Sequence, residues 1–206
     1  MPNNNRSEIG FPIGYHKFHK KQLFNFQLNR WYSLGYARLE DMENAGKRIK
    51  SFKDWKLEML KLAEEAVSDN RLVNAAFYYR AAEFYVKAKD PDKYLLYDRF
   101  IELFYKVFSN EGIERHEVPY EGAFLPALRI LPLSEKKGHI LIHGGFDSFI
   151  EEWFSMMCVF RGNPAGYSDG KRPPFRAKPA THSDGKAAIF RPVVGKVAGM
   201  ARKIRE

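Results

Sequence analysis

Apolar residues recur with a helical period through most of the first 110 positions and then switch to a period of two. Phe24, Leu28 and Trp31 fall at i, i+4 and i+7 within a run that begins near Phe18, and Gly35 interrupts them. Tyr36, Leu39 and Met42 carry a second, weaker run. Ser51 with Asp54 three residues later has the form of a capping box, and Phe52, Trp55, Met59, Leu62 and Ala66 follow as one stripe. Val73, Phe77, Ala81, Phe84 and Ala88 form the most regular stripe of the chain. The next helix starts at Asp90-Pro91, where proline suits a first turn. It presents Tyr97, Ile101, Phe104 and Phe108 on one face, with Leu96, Phe100, Leu103 and Val107 beside them. So wide an apolar face needs partners on two sides, so residues 16 to 110 are expected to pack as a bundle of four or five helices. No period of about 34 residues with a shared pattern appears, which favours a bundle over a tetratricopeptide array. Residues 1 to 15 hold no sustained period and read as a flexible arm.

After Asn110-Glu111-Gly112 the alternation predicts a hairpin: Ile113 to Tyr120, a turn at Glu121-Gly122, and Ala123 to Leu131, with Phe124, Leu128 and Ile130 sharing a face. Pro126 inside the second run argues for an edge position. Pro132 to Gly138 is a polar turn, and His139 to Ile142 is near-continuously apolar, as suits a parallel strand covered on both faces. His143-Gly144-Gly145 then turns into a helix. Ser148 and Glu151 have capping-box spacing there, Glu151 and Glu152 put negative charge at the helix start, and Trp153, Met157 and Phe160 form the expected inward stripe.

A Gly-Gly pair by itself is most simply a tight turn. At the end of a strand reached through an antiparallel hairpin, however, such glycines let backbone N–H groups approach a developing oxyanion, each aimed donor contributing about 3 kcal/mol. The helical bundle, the hairpin from Val118 to Leu131 and the run Ile140-Leu141-Ile142-His143-Gly144-Gly145-Phe146-Asp147-Ser148-Phe149-Ile150-Glu151-Glu152 together resemble the N-terminal part of α/β-hydrolases with an N-terminal helical cap. The group in view is the esterase-like one that includes the fermentation-respiration switch protein and the dihydroxypseudooxynicotine hydrolase. The resemblance implies an incomplete α/β-hydrolase fold: the helical cap of residues 16 to 110, and residues 111 to 160 as the start of the core, with a β-hairpin and the first parallel strand-turn-helix unit. It implies ester or carbon–carbon bond hydrolysis of a small-molecule substrate. An oxyanion hole would form at Gly144, Gly145 and Phe146, in a loop shaped by His143, Asp147 and Ser148. No metal and no cofactor are implied.

Composition changes this picture mainly at the C-terminal end. The net charge of +9 is unevenly placed: residues 161 to 206 carry 11 Lys and Arg against 3 Asp and Glu, leaving the first 160 near neutrality. The same 46 residues hold 11 of the 26 glycines and prolines. They read as a basic Gly/Pro-rich tail, disordered or out of frame, and the hydrolase family's next strand and nucleophile elbow are not legible in it. A literal G-x-S-x-G exists at Gly166-Tyr167-Ser168-Asp169-Gly170, which makes Ser168 the one nominal nucleophile. Its flanks, Arg161-Gly162-Asn163-Pro164-Ala165 before and Lys171-Arg172-Pro173-Pro174 after, supply neither the strand nor the helix that an elbow needs, so the motif reads as a chance match. Ser-Asp-Gly-Lys recurs at residues 168 and 183, which a polyanion-binding reading uses, although nucleic acid is not the favoured partner.

The expectation is therefore a truncated, catalytically incomplete hydrolase. The alternative is a noncatalytic helical interaction module. On the truncated-hydrolase reading, self-association through an open sheet edge is expected. The single cysteine, Cys158, allows no intrachain disulfide, and neither a signal peptide nor a membrane span is evident, so a cytoplasmic setting is expected.

Overall fold

The computed structural model describes residues 11 to 12, 14 to 132, 135 to 136, 139 to 145 and 147 to 162, the last four without side chains. Among these, six α-helices and a two-stranded antiparallel sheet form a mixed α/β arrangement. No helix among the described residues is long and apolar enough to cross a membrane.

The helices lie where the periodicity put them. The first two are α1 (Gln22–Ser33) and α2 (Leu39–Arg48). Helix α3 (Phe52–Ser68) opens on the expected box: the Asp54 N–H donates to Ser51 Oγ at 3.2 Å and the Ser51 N–H to Asp54 Oδ2 at 2.9 Å. Trp55, Met59, Leu62 and Ala66 are buried along it, while Phe52 stays exposed. Helix α4 (Leu72–Phe84) is the central one. It packs against α3 on one side and α5 (Asp92–Val107) on the other, and nine of its 13 residues are buried. A helix covered on so many sides presents little polar surface, so Arg80 and Glu83 are buried with the alanines and aromatics around them. The stripe ends at Phe84, and Ala88 is exposed beyond the helix.

Aromatic contacts lock the layers. The Tyr36 and Phe77 rings stack at 3.4 Å between centroids and 7° between planes. Trp55 Nε1 donates to the Ala81 carbonyl at 2.6 Å, which partners an indole N–H that burial removes from water.

Strands β1 (Ile113–Tyr120) and β2 (Ala123–Ile130) pair in register from Ile113↔Ile130 to Tyr120↔Ala123. The two-residue loop has φ of 45° at Glu121 and 76° at Gly122, the left-handed pair that matches the twist of a hairpin. Pro126 is tolerated because a two-stranded sheet is all edge. The expected shared face is partly wrong: Leu128 and Ile130 are half-buried, but Phe124 is exposed. Only the end of the hairpin nearest the bundle, at Ile113 and Ile130, packs on the core.

The expected parallel strand is not formed. Residues 139 to 142 have no ladder partner, and Ile140 and Leu141 are 71% and 94% exposed. Apolar character alone does not make a strand; the ladder needs a neighbour, and among the described residues the hairpin is the whole sheet. The chain then enters a single 3₁₀ turn (Ile150–Trp153) that leads directly into α6 (Phe154–Gly162). Here two expectations are corrected. Ser148 is not the cap: the Glu152 carboxylate takes that role by accepting the Phe149 N–H at 3.1 Å. The buried anchor is Phe154, with its ring 4.4 Å from Phe108 and 5.6 Å from Phe104, while Trp153 and Met157 are only half-buried. The side chain of Phe160 lies outside the described residues.

Candidate functional site

Residues 147 to 155 are held against the bundle by polar side chains, several of them buried, rather than by a sheet. Glu152, 2% exposed, lies between two arginines from different helices: Arg30 of α1 on Oε2, and Arg80 of α4, whose Nε donates to Oε1 at 2.7 Å. Arg30 also donates from Nη1 to Asp147 Oδ2 at 3.0 Å and from Nη2 to Ser148 Oγ at 3.2 Å. Arg80 Nη2 donates to the Asp147 carbonyl at 2.9 Å, and Arg30 Nη2 approaches the same oxygen at 3.4 Å. Behind Arg80 lies Glu83, which is paired with it and with Lys93 of α5. Three cations and three anions thus alternate from α1 to α5 and leave no net charge. Burial of Arg80, Glu83 and Glu152 is tolerable only with this degree of pairing, because an uncompensated buried charge costs several kcal/mol. The Arg80 guanidinium also stacks 4.1 Å from the Phe149 ring centre.

Tyr36 completes the clamp. Its hydroxyl donates to the Glu152 carbonyl at 3.0 Å and accepts the Ser155 N–H at 2.9 Å, satisfying main-chain groups at the helix start. Burial raises the pKa of this phenol well above its ordinary value, so it stays protonated. Glu151, also buried, accepts from the Tyr105 hydroxyl at 3.3 Å. Burial raises its carboxyl pKa above the usual range, against the opposing pull of its own backbone N–H and of Arg115.

The two glycines of the expected oxyanion turn differ. A Cβ on Gly144 would sit 2.7 Å from Ser148 Cβ and 2.8 Å from Trp153 Nε1, so only glycine fits there. A Cβ on Gly145 would meet nothing closer than Asp147 Oδ1 at 3.9 Å. Neither adopts a positive φ; close approach, not a left-handed turn, is the reason for glycine at 144. His143 is exposed, with Nδ1 3.0 Å from the Gly144 carbonyl. Asp147 and Ser148, expected to shape the loop, are bonded to Arg30. Phe146, the third member of the expected oxyanion hole, and Ser168 lie outside the described residues, as do the remaining tail motifs. Among the described residues no group of His, Cys, Asp and Glu is arranged to hold a metal ion.

Beside the clamp runs an open cleft of about 470 Å³ between α1 and the turn, with Phe26, Arg30, Leu34, Asp147, Trp153 and Met156 among its walls. The sequence reading missed Arg30, Arg80 and Tyr36. The readable signal was Arg80 itself: it lies three residues after Phe77 and four before Phe84, in the phase of an apolar stripe, where a charge calls for a buried counterion.

Compared with known proteins, the chain matches no family model and no curated protein.

Proposed function

We propose that the first 160 residues are the cap and oxyanion-loop half of an α/β-hydrolase acting on an ester or a carbon–carbon bond of a small molecule. On this reading the chain is catalytically incomplete, because the abrupt compositional change near Phe160 is a change of reading frame. The observation that carries the reading is Gly144, a position where only glycine fits, at the mouth of a turn fixed to the cap by the half-buried Arg30 and the buried Arg80. Backbone donors in a turn held by fixed partners are what oxyanion stabilisation needs. The exposed, unpaired apolar run at residues 139 to 142 suits a strand whose sheet neighbours are missing from the readable chain.

The encoding DNA provides the test. One of the two other frames downstream of Cys158 should encode a strand, a G-x-S-x-G elbow and a helix; their absence from both frames would sink the reading. A chain continued in that frame should hydrolyse p-nitrophenyl esters or an acyl ketone, and the chain in hand should not. Ester hydrolysis by the present chain that disappears on Ser168→Ala would overturn the incomplete-enzyme reading.

The cleft favours one second reading, a noncatalytic module that takes an apolar partner segment between α1 and the turn. Phe26, 56% exposed, and Tyr15 stand at its rim. Loss of partner binding on Phe26→Ser, in a chain that still melts cooperatively, would support it over hydrolysis.

A further inference from the structure

The glycine turn lacks the support a hydrolase turn would ordinarily take from its sheet, since residues 139 to 142 pair with no strand among the described residues. Its order therefore has to come from the bundle side. Two guanidinium groups, Arg30 of α1 and Arg80 of α4, 50 residues apart in sequence, converge on one main-chain oxygen, the Asp147 carbonyl. Salt-bridge formation needs only the Asp147 and Glu152 carboxylates. A buried fork spent on a backbone carbonyl instead fixes the peptide plane two residues beyond Gly145. The Ser148 N–H closes the same turn onto the Gly145 carbonyl at 3.4 Å.

We propose that Arg30 and Arg80 are positioning residues for the glycine turn. Acting through the Asp147 carbonyl and Glu152, they preform the turn from the cap helices before any sheet is added. The proposal rests on the oxyanion reading for its functional meaning. It also makes a direct connection between cap and turn: displacement of α1 or α4 by a ligand held in the cap moves the Asp147 peptide plane. Arginine is required for this role because its planar fork reaches three acceptors at once, the Asp147 carbonyl, Glu152 and Glu83.

The experiment compares full-length wild type with Arg80→Lys and with Arg80→Met/Glu152→Met, recording the Asp147 carbonyl ¹³C shift and the exchange rate of the Ser148 amide. The double variant removes one cation and one anion together, and apolar replacement of a buried pair is often neutral for stability. Its melting temperature should stay near wild type, while the Asp147 carbonyl resonance moves upfield and Ser148 exchanges about tenfold faster or more, as loss of a charged hydrogen bond implies. Arg80→Lys keeps the charge but not the fork and should show the same signature at the turn. Unchanged Asp147 and Ser148 signals in the double variant would overturn the proposal. If the double variant does not fold, unchanged signals in Arg80→Lys would do so. Neither readout involves turnover, so an ordered turn in a protein with no hydrolase frame would sink the catalytic reading and leave the positioning role standing.

Discussion

The phenol of Tyr36 donates to the main-chain carbonyl of Glu152, 116 residues away in sequence, and accepts the N–H of Ser155 through the same oxygen. One side chain therefore satisfies a buried acceptor and a buried donor at the start of α6. Tyr36→Phe keeps the ring stacked on Phe77 but leaves both groups without a partner. The expected cost is about 1 to 3 kcal/mol, read as a lower denaturation midpoint at unchanged slope. A change within experimental error would mean that water takes over both bonds.

The same burial sets an alkaline limit. Tyr36, Tyr78 and Tyr105 all have phenol pKa values raised by burial, and that of Tyr85 is pushed up to about 12. In the unfolded chain these phenols ionise near pH 10. Below that pH both states are protonated and the contribution is complete. Above it the unfolded state gains by losing protons that the folded state retains, so stability should fall from about pH 10 upward. Equilibrium unfolding between pH 8 and 11.5 checks this, and Tyr36→Phe should flatten the descent.

Glu151 gives the same sign at the acid end, stability falling as pH rises through its titration. Its carboxyl pKa is raised in the folded state, chiefly by burial, so ionisation at neutral pH is a cost that the unfolded chain does not bear. Glu151→Gln keeps an acceptor for the Tyr105 hydroxyl and removes that cost. The variant should melt higher than wild type at pH 7, and the gap should close as pH falls through the folded pKa toward the ordinary value near 4.3. A variant less stable than wild type at pH 7 would show that Arg115 outweighs burial.

Gly144 and Gly145 should respond unequally. Gly144→Ala forces Ser148 and the Trp153 indole apart and should cost about 1 to 3 kcal/mol, as overpacking does. Gly145→Ala meets open space and should stay within about 0.5 kcal/mol of wild type. Thermal melts of the two variants settle the difference, and equal effects would argue against the turn geometry described above.

At the hairpin, Glu121 holds a φ of 45° that a residue with a Cβ beyond asparagine or aspartate rarely adopts. Glu121→Asn creates the Asn-Gly pair that this turn type favours and should stabilise by about 1 kcal/mol. Chemical denaturation would detect it. No gain would indicate that the hairpin unfolds independently of the bundle.

The helices and the hairpin were legible because local rules govern them. The Ser51 and Asp54 box, the stripe from Trp55 to Ala66 and the Glu121-Gly122 turn each depend on residues a few positions apart. The segment after Gly138 was misjudged because its structure depends on distant partners. Ile140 and Leu141 have strand character but no ladder to join. Glu152, readable as a charge on a helix start, became the centre of an ionic cluster through Arg30 and Arg80, and no short-range pattern links those three positions. The hydrolase resemblance is carried by the helical bundle, the hairpin and the stretch from Ile140 to Glu152 together.

The alternating charges from Arg30 to Lys93 also bear on where this protein can be divided. A cut after Asn110 looks natural in the sequence, since the helical period ends there. It would remove Asp147 and Glu152 from Arg30 and leave the buried Arg80 with Glu83 alone, and it would uncover Phe104 and Phe108 by removing Phe154. The five leading helices are thus a topological unit without being a thermodynamic one: two of their counterions and the lid on their aromatic floor are encoded after the hairpin.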